Sequence, residues 1–172
     1  MVSSINSKIT RNSDPDIYKW TSKEDSQMFF NLVKKSDMII MGAKTYQVVR
    51  HKINLNSGHF RLVVSKHPAD YQKDFVKNKL EFTSQTPEQI FSQFKDKFHH
   101  ILLVGGSEIN ALFLKSKLVD ELYLTIEPLI FGRGKNLIAE SDLNIDCHLL
   151  KIKKLNKKRT LLLTYKLNYE KN

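Results

Sequence analysis

Cysteine is almost absent from this 172-residue chain, where Cys147 stands alone. One thiol excludes an internal disulfide and any zinc site built from several cysteines, and it fits a reducing compartment, so the cytoplasm is the expected location. Glycine (six) and proline (four) are scarce. No internal repeat, low-complexity tract or linker divides the chain, and the length suits one domain over residues 1–172. Long hydrophobic runs are missing too. Met38-Ile39-Ile40-Met41 and Ile101-Leu102-Leu103-Val104 fall far short of the roughly 20 residues that cross a bilayer. No charged start leads into an apolar segment after Met1, so no secretory leader is legible.

Acidic residues are outnumbered, with 18 Asp and Glu against 28 Lys and Arg, a net charge of +10. Clustered cations are the electrostatic footprint of phosphate binding. Here the densest cluster, Lys151, Lys153, Lys154, Lys157, Lys158 and Arg159, surrounds a turn between two apolar segments. A solvated hairpin is therefore preferred to a nucleic-acid surface, and the charge is read as an aid to solubility and to steering of anionic cofactors and substrates. At 41% hydrophobic and 27% charged, the composition is that of an ordinary globular protein.

Strand and helix signals alternate. Ser22, with Asp25 three residues on, caps a helix carrying Phe29, Leu32 and Val33 and running to about Lys35. Asp37 to Met41 reads as a buried strand that passes through Gly42 into a helix over 44–49. Strands follow at Phe60–Val64 and Leu80–Thr83. Thr86-Pro87 then opens a helix with Ile90, Phe91, Phe94 and Phe98 on its apolar face. Ile101–Val104 is a further strand, and Gly105-Gly106-Ser107 leads into a helix whose buried face is predicted from Ile109, Leu112 and Phe113. Val119–Ile126 is strand-like and ends before Pro128, and Gly132 and Gly134 mark a loop. His148–Leu155 and Thr160–Leu167 form an antiparallel hairpin turning at Asn156-Lys157-Lys158. This order predicts a three-layer α/β fold, with one mixed, mostly parallel sheet, helices on both faces and the hairpin at the end.

Ligands of open α/β sheets bind beyond the carboxyl ends of the strands. Three such ends carry small or hydroxyl residues: Gly42 with Thr45, Ser65 with Lys66, and Gly105-Gly106-Ser107. A Gly-Gly pair lets backbone N–H groups approach a phosphate, and the helix behind it adds its positive end; taken alone it also reads as a plain strand-to-helix turn. Other chemistry finds no support. The six histidines show no metal-ligand spacing, and neither a Gly-x-Ser-x-Gly turn nor a nucleotide-hydrolase phosphate loop is present.

Met41-Gly42-Ala43-Lys44-Thr45-Tyr46, Val63-Val64-Ser65-Lys66 and Val104-Gly105-Gly106-Ser107-Glu108 together resemble the cofactor segments of dihydrofolate reductases. Leu118-Val119-Asp120-Glu121-Leu122-Tyr123-Leu124, with Pro128 and Phe131-Gly132-Arg133-Gly134-Lys135, is similar to the reductase domain of riboflavin biosynthesis. The resemblance spans nearly the whole chain. It implies a dihydrofolate-reductase-like fold and hydride transfer from NADPH to a bound heterocycle or imine, without metal or flavin.

By the same resemblance Lys44 and Thr45 meet the phosphate on the adenosine ribose, Ser65 and Lys66 flank it, and Gly105, Gly106, Ser107 and Glu108 cradle the pyrophosphate. Gly42 belongs to the same cofactor segment. Ser4-Ile5-Asn6-Ser7-Lys8-Ile9 is similar to the family's substrate loop, with Asn6 in place of the acid. An amide can hydrogen-bond a substrate but cannot relay a proton as a carboxylate does. Asp25 is then the best remaining acid, with a helix capping-box carboxylate as its plain reading. Trp20 and Phe29 border the implied substrate pocket or, equally, belong to the core. Arg133 and Lys135 either hold a substrate phosphate or form a basic turn. Only Met1-Val2-Ser3 precede the loop where the family has a buried strand, so that strand is either very short or partly lost.

The leading expectation is an NADPH-dependent reductase acting on a ribosylaminopyrimidine phosphate or on dihydrofolate. A non-catalytic nucleotide-binding protein that kept the cofactor frame is the alternative. A homodimer is expected, joined through an open edge at Leu161-Leu162-Leu163.

Overall fold

The computed structural model describes residues 1–169. Its elements are β1 (Val2–Ser4), α1 (Lys23–Lys35), β2 (Met38–Gly42), α2 (Ala43–Val49), β3 (Phe60–Val64), β4 (Leu80–Thr83), α3 (Pro87–Phe94), β5 (Ile101–Leu103), α4 (Ser107–Lys115), β6 (Glu121–Glu127), β7 (Asp146–Lys154) and β8 (Leu161–Asn168). Every strand and helix read from the pattern is present, with ends shifted by a few residues.

Alternation along β2 builds two cores. Met38 and Ile40 face one side with Phe60, Leu62, Ile90, Phe94, Ile109 and Phe113, so α3 and α4 cover that face. Ile39 and Met41 face the other with Tyr46, Val63 and Leu80, joined by Val33 of α1 and Val49 of α2. A period of two in a strand thus places helices on both faces. Two helical positions differ from the pattern reading: Leu112 is 47% and Phe91 is 44% exposed. In α4 the buried row runs through Ile109, Phe113, Asn110 and Leu114, and Leu112 falls outside it. Phe91 is turned outward because α3 buries Pro87, Ile90 and Phe94.

The expected single sheet is divided. One four-stranded sheet has the parallel order β4-β3-β2-β5, and the other has the order β1-β6-β8-β7. Four of the six strand pairs are parallel and the β6-β8-β7 part is antiparallel. The division follows from β1, which is the very short strand: its three residues pair only with Thr125–Glu127 of β6. β5 consequently pairs with β2 and, among the described residues, with no strand on its other side. The hairpin also differs from expectation. Leu161–Leu163 are not at an edge, because β8 lies between β6 and β7. The edge is β7, exposed along its whole length.

Candidate active site

Parallel pairing brings the carboxyl ends of β2, β3 and β5 together. The Gly42 N–H donates to the Gly105 carbonyl at 2.8 Å. A Cβ on Gly42 would stand 2.7 Å from Ile109 Cγ1, so this glycine serves the packing of α4 against β2 and has no free N–H for a ligand. Gly105 has φ +90°, joins Gly106 through a cis peptide, and lies against the Asn110 side chain. Gly106 is the N-cap of α4 and offers no side-chain acceptor to the first turn. The N–H groups of that turn therefore depend on solvent or a ligand. A Cβ on Gly106 would lie 3.4 Å from Thr45 Oγ1, which places the α2 and α4 starts on either side of one gap. Ser65 follows β3, and its hydroxyl accepts the His67 N–H at 3.1 Å, leaving its own proton to donate.

Three lysines gather around the α4 start. Lys44 Nζ pairs with Glu108 Oε1 at 3.0 Å. The hydrogen bond from Lys44 holds the Glu108 carboxyl below its usual range, and the charges of Lys44, Lys135 and Lys66 act the same way. Lys135 thus stands within electrostatic reach of the α4 start. Arg133 is exposed on the same loop and uses its backbone carbonyl to accept the Asn12 N–H at 3.0 Å.

That loop closes one edge of the molecule. Residues 129–137 lie along residues 5–12 through Ile5 N–H to Leu129 O, Ile9 N–H to Lys135 O and Leu137 N–H to Ser7 O. Gly134 is required there, with φ +151° and the Thr10 carbonyl oxygen 2.1 Å from where a Cβ would be. Ser107 Oγ donates to the Asn136 carbonyl, and Lys8 Nζ reaches Asn136 Oδ1 at 2.7 Å. The loops after β1 and β6 therefore meet the α4 start along one hydrogen-bonded rim.

Asn6 is part of this rim. Its Nδ2 donates to the Phe131 carbonyl at 2.7 Å, while its Oδ1 accepts from Phe131 N–H at 3.1 Å and Ser4 Oγ at 2.8 Å. The amide is consumed as a clamp on Phe131, whose ring meets Trp20 edge-on at 5.1 Å. Trp20 is buried with Val2 and Phe131, and its Nε1 has no partner. Phe29 is half-buried, one helical turn beyond Asp25 on α1.

Asp25 is buried, and it is not a capping-box carboxylate. Ser22 Oγ caps α1 by accepting the Asp25 N–H, but the reciprocal Ser22 N–H goes to Glu127 Oε1 at 2.7 Å. Glu127, buried at the end of β6, also accepts Thr160 Oγ1 at 2.7 Å. Burial pushes the Asp25 carboxyl above the usual aspartate range, and the Glu127 charge adds to the push. The Thr125 hydroxyl and the Met1 ammonium oppose it, although Thr125 Oγ1 closes no hydrogen bond of normal geometry. A carboxyl held this way keeps its proton at higher pH than a free one, as a general acid must. Glu127 was missed by sequence reasoning. Its signal was present, since Thr125 and Glu127 are polar residues two apart on one face of a largely apolar strand.

The RibD C-terminal domain profile matches residues 1–161. The chain belongs to the RibD C-terminal domain family. This RibD-type chain is 30% identical over 117 residues to the Caenorhabditis elegans "Putative dihydrofolate reductase", a match covering 63% of this chain and 61% of that protein. It therefore spans less than two thirds of that curated relative. Among solved structures, the Shewanella sp. PV-4 "Putative riboflavin biosynthesis protein" has a TM-score of 0.78 at 20% identity, covering 98% of this chain and 97% of its own. Dihydrofolate reductase from Enterococcus faecalis, solved with NADP(H), has a TM-score of 0.68 at 16% identity, covering 98% and 94%. These likenesses confirm the dihydrofolate-reductase-like fold. The family match is to the RibD C-terminal domain, and the likeness to the riboflavin-biosynthesis and dihydrofolate reductase structures is one of fold.

Proposed function

We propose that this RibD-type chain is an NADPH-dependent reductase acting on a small heterocyclic or imine substrate, with a ribosylaminopyrimidine phosphate first and dihydrofolate second. The observation that carries the reading is a helix start with no side-chain cap, ringed by Lys44, Lys66 and Lys135. A buried carboxyl with a raised pKa, released from capping duty, adds a candidate acid. NADPH supplies the hydride when bound. Lys44, Thr45, Ser65 and Lys66 hold the adenosine phosphate, and the first-turn N–H groups after Gly105-Gly106 hold the pyrophosphate. The absence of a Cβ on Gly106, which would stand 3.4 Å from Thr45 Oγ1, suits that task.

Hydride arrival leaves negative charge on the acceptor, and Asp25 is the proton donor that answers it. Trp20 and Phe29 wall the substrate side, Arg133 holds a substrate phosphate, and Asn6 acts through the position of Phe131. The chain works in the cytoplasm as a homodimer. No helix among the described residues is long and apolar enough to cross a membrane.

Calorimetric titration with NADPH and NADH tests the cofactor end. A charge-assisted hydrogen bond to the additional phosphate is worth about 1.5–3 kcal/mol, roughly ten- to a hundredfold in affinity. Equal affinities would remove Lys44 from the phosphate site. NADPH oxidation with the two substrates tests the other end. NADPH binding without turnover would favour a non-catalytic nucleotide-binding protein, a reading supported by the full engagement of Asn6.

A further inference from the structure

The side chain of Glu108 is out of place at a pyrophosphate site. Its backbone N–H lies in the first turn of α4, where it suits an anion, but its carboxylate carries the same sign as the ligand. That carboxylate is on Lys44 at 3.0 Å, with side chains 67% and 71% exposed. Lys66 and Lys135 add their charge to the same spot. The carboxylate thus sits among the cations that a phosphate would use.

We propose that Glu108 is a resident counter-anion of the cofactor site: it holds Lys44 in the free protein and must release it when the adenosine phosphate of NADPH enters. The inference rests on the NADPH reading above and deepens it. An exposed pair of this kind contributes little to folding, so giving it up costs the protein little stability. Its effect falls on the ligand, whose phosphate has to displace a competitor and then remain near it. Glu108 therefore lowers affinity, most for ligands whose phosphate needs Lys44.

The test is calorimetric titration of the full chain with NADPH, NADH and adenosine 2',5'-bisphosphate, in wild type, Glu108→Gln, Lys44→Gln and the double variant. Glu108→Gln is expected to tighten NADPH and the bisphosphate by about two- to fivefold, the range of an exposed ion pair. NADH should change less, and the gain should vanish in the Lys44→Gln background. Unchanged or weaker NADPH binding by Glu108→Gln, beside normal binding by wild type, overturns the counter-anion role and leaves the cofactor reading standing. Failure of wild type to bind either NADPH or the bisphosphate overturns both. A gain that persists without Lys44 shows general charge repulsion and also overturns the proposed pairing.

Discussion

The carboxylate of Glu127 accepts the backbone N–H of Ser22 at 2.7 Å, immediately before the first turn of α1, which carries Asp25. A residue of β6 thereby does what a capping box assigns to the third helical residue, and Asp25 is left with a buried carboxyl not bound to the helix start.

Two substitutions follow from that exchange. Asp25→Asn is expected to cut turnover at least about tenfold at neutral pH while NADPH affinity is unchanged, as loss of a general acid requires. The same change should raise the melting temperature at neutral pH. The folded-state pKa of Asp25 is raised, so its stabilising contribution is present below the ordinary aspartate pKa and is lost as pH rises through the higher folded value. The difference in melting temperature between the two proteins should therefore be near zero in acid and grow with pH. Glu127→Ala removes the acceptor of both Ser22 N–H and Thr160 Oγ1 and should destabilise by about 1.5–3 kcal/mol in urea unfolding.

Asn6→Asp is expected to fail as a route to higher activity. The variant loses the Nδ2 donor and sets a carboxylate against the Phe131 carbonyl, which now has no partner in that clamp. A lower melting temperature with turnover no better than wild type is the predicted outcome. A turnover gain would mean that the loop rearranges to free residue 6.

Gly106 and Gly134 should respond differently. Gly106 has φ −77°, a value open to any residue, and its missing Cβ faces Thr45 across the gap. Gly106→Val is predicted to fold normally and lose NADPH binding. Gly134→Ala meets the Thr10 carbonyl at 2.1 Å with an unfavourable φ, so it should lower the melting temperature through the rim itself. Circular dichroism melts and calorimetry on the two variants separate these effects.

The homodimer is expected to form through β7. Ile152 is 59% exposed there, with Leu149 and Leu150 also exposed on this edge strand. Light scattering should give twice the 20.1 kDa chain mass, and Ile152→Lys should return it to one. A monomer at all concentrations removes the claim.

The layered fold was legible because it is local: strand alternation in β2, the Thr86 cap and the Gly-Gly turn each announce themselves within a few residues. Features that depend on pairing partners were not. The division of the sheet comes from how β1 shares its three residues, and the edge position of β7 comes from the order of the hairpin in the sheet. At the candidate site, the residues near the α4 start were legible as a motif. The role of Asn6 and the exchange between Asp25 and Glu127 were not, since they join positions more than 100 residues apart.

Among the described residues, no ladder of main-chain bonds runs across the open side of β5. Cooperativity between the two sheets therefore passes through other connections: α1, which reaches from Glu127 at its cap to Val33 in the core of the parallel sheet, and the rim loop bound to Ser107. Amide exchange should accordingly resolve the molecule into two protected units, with β2 and β3 in one and β6 and β8 in the other, opening at separate free energies.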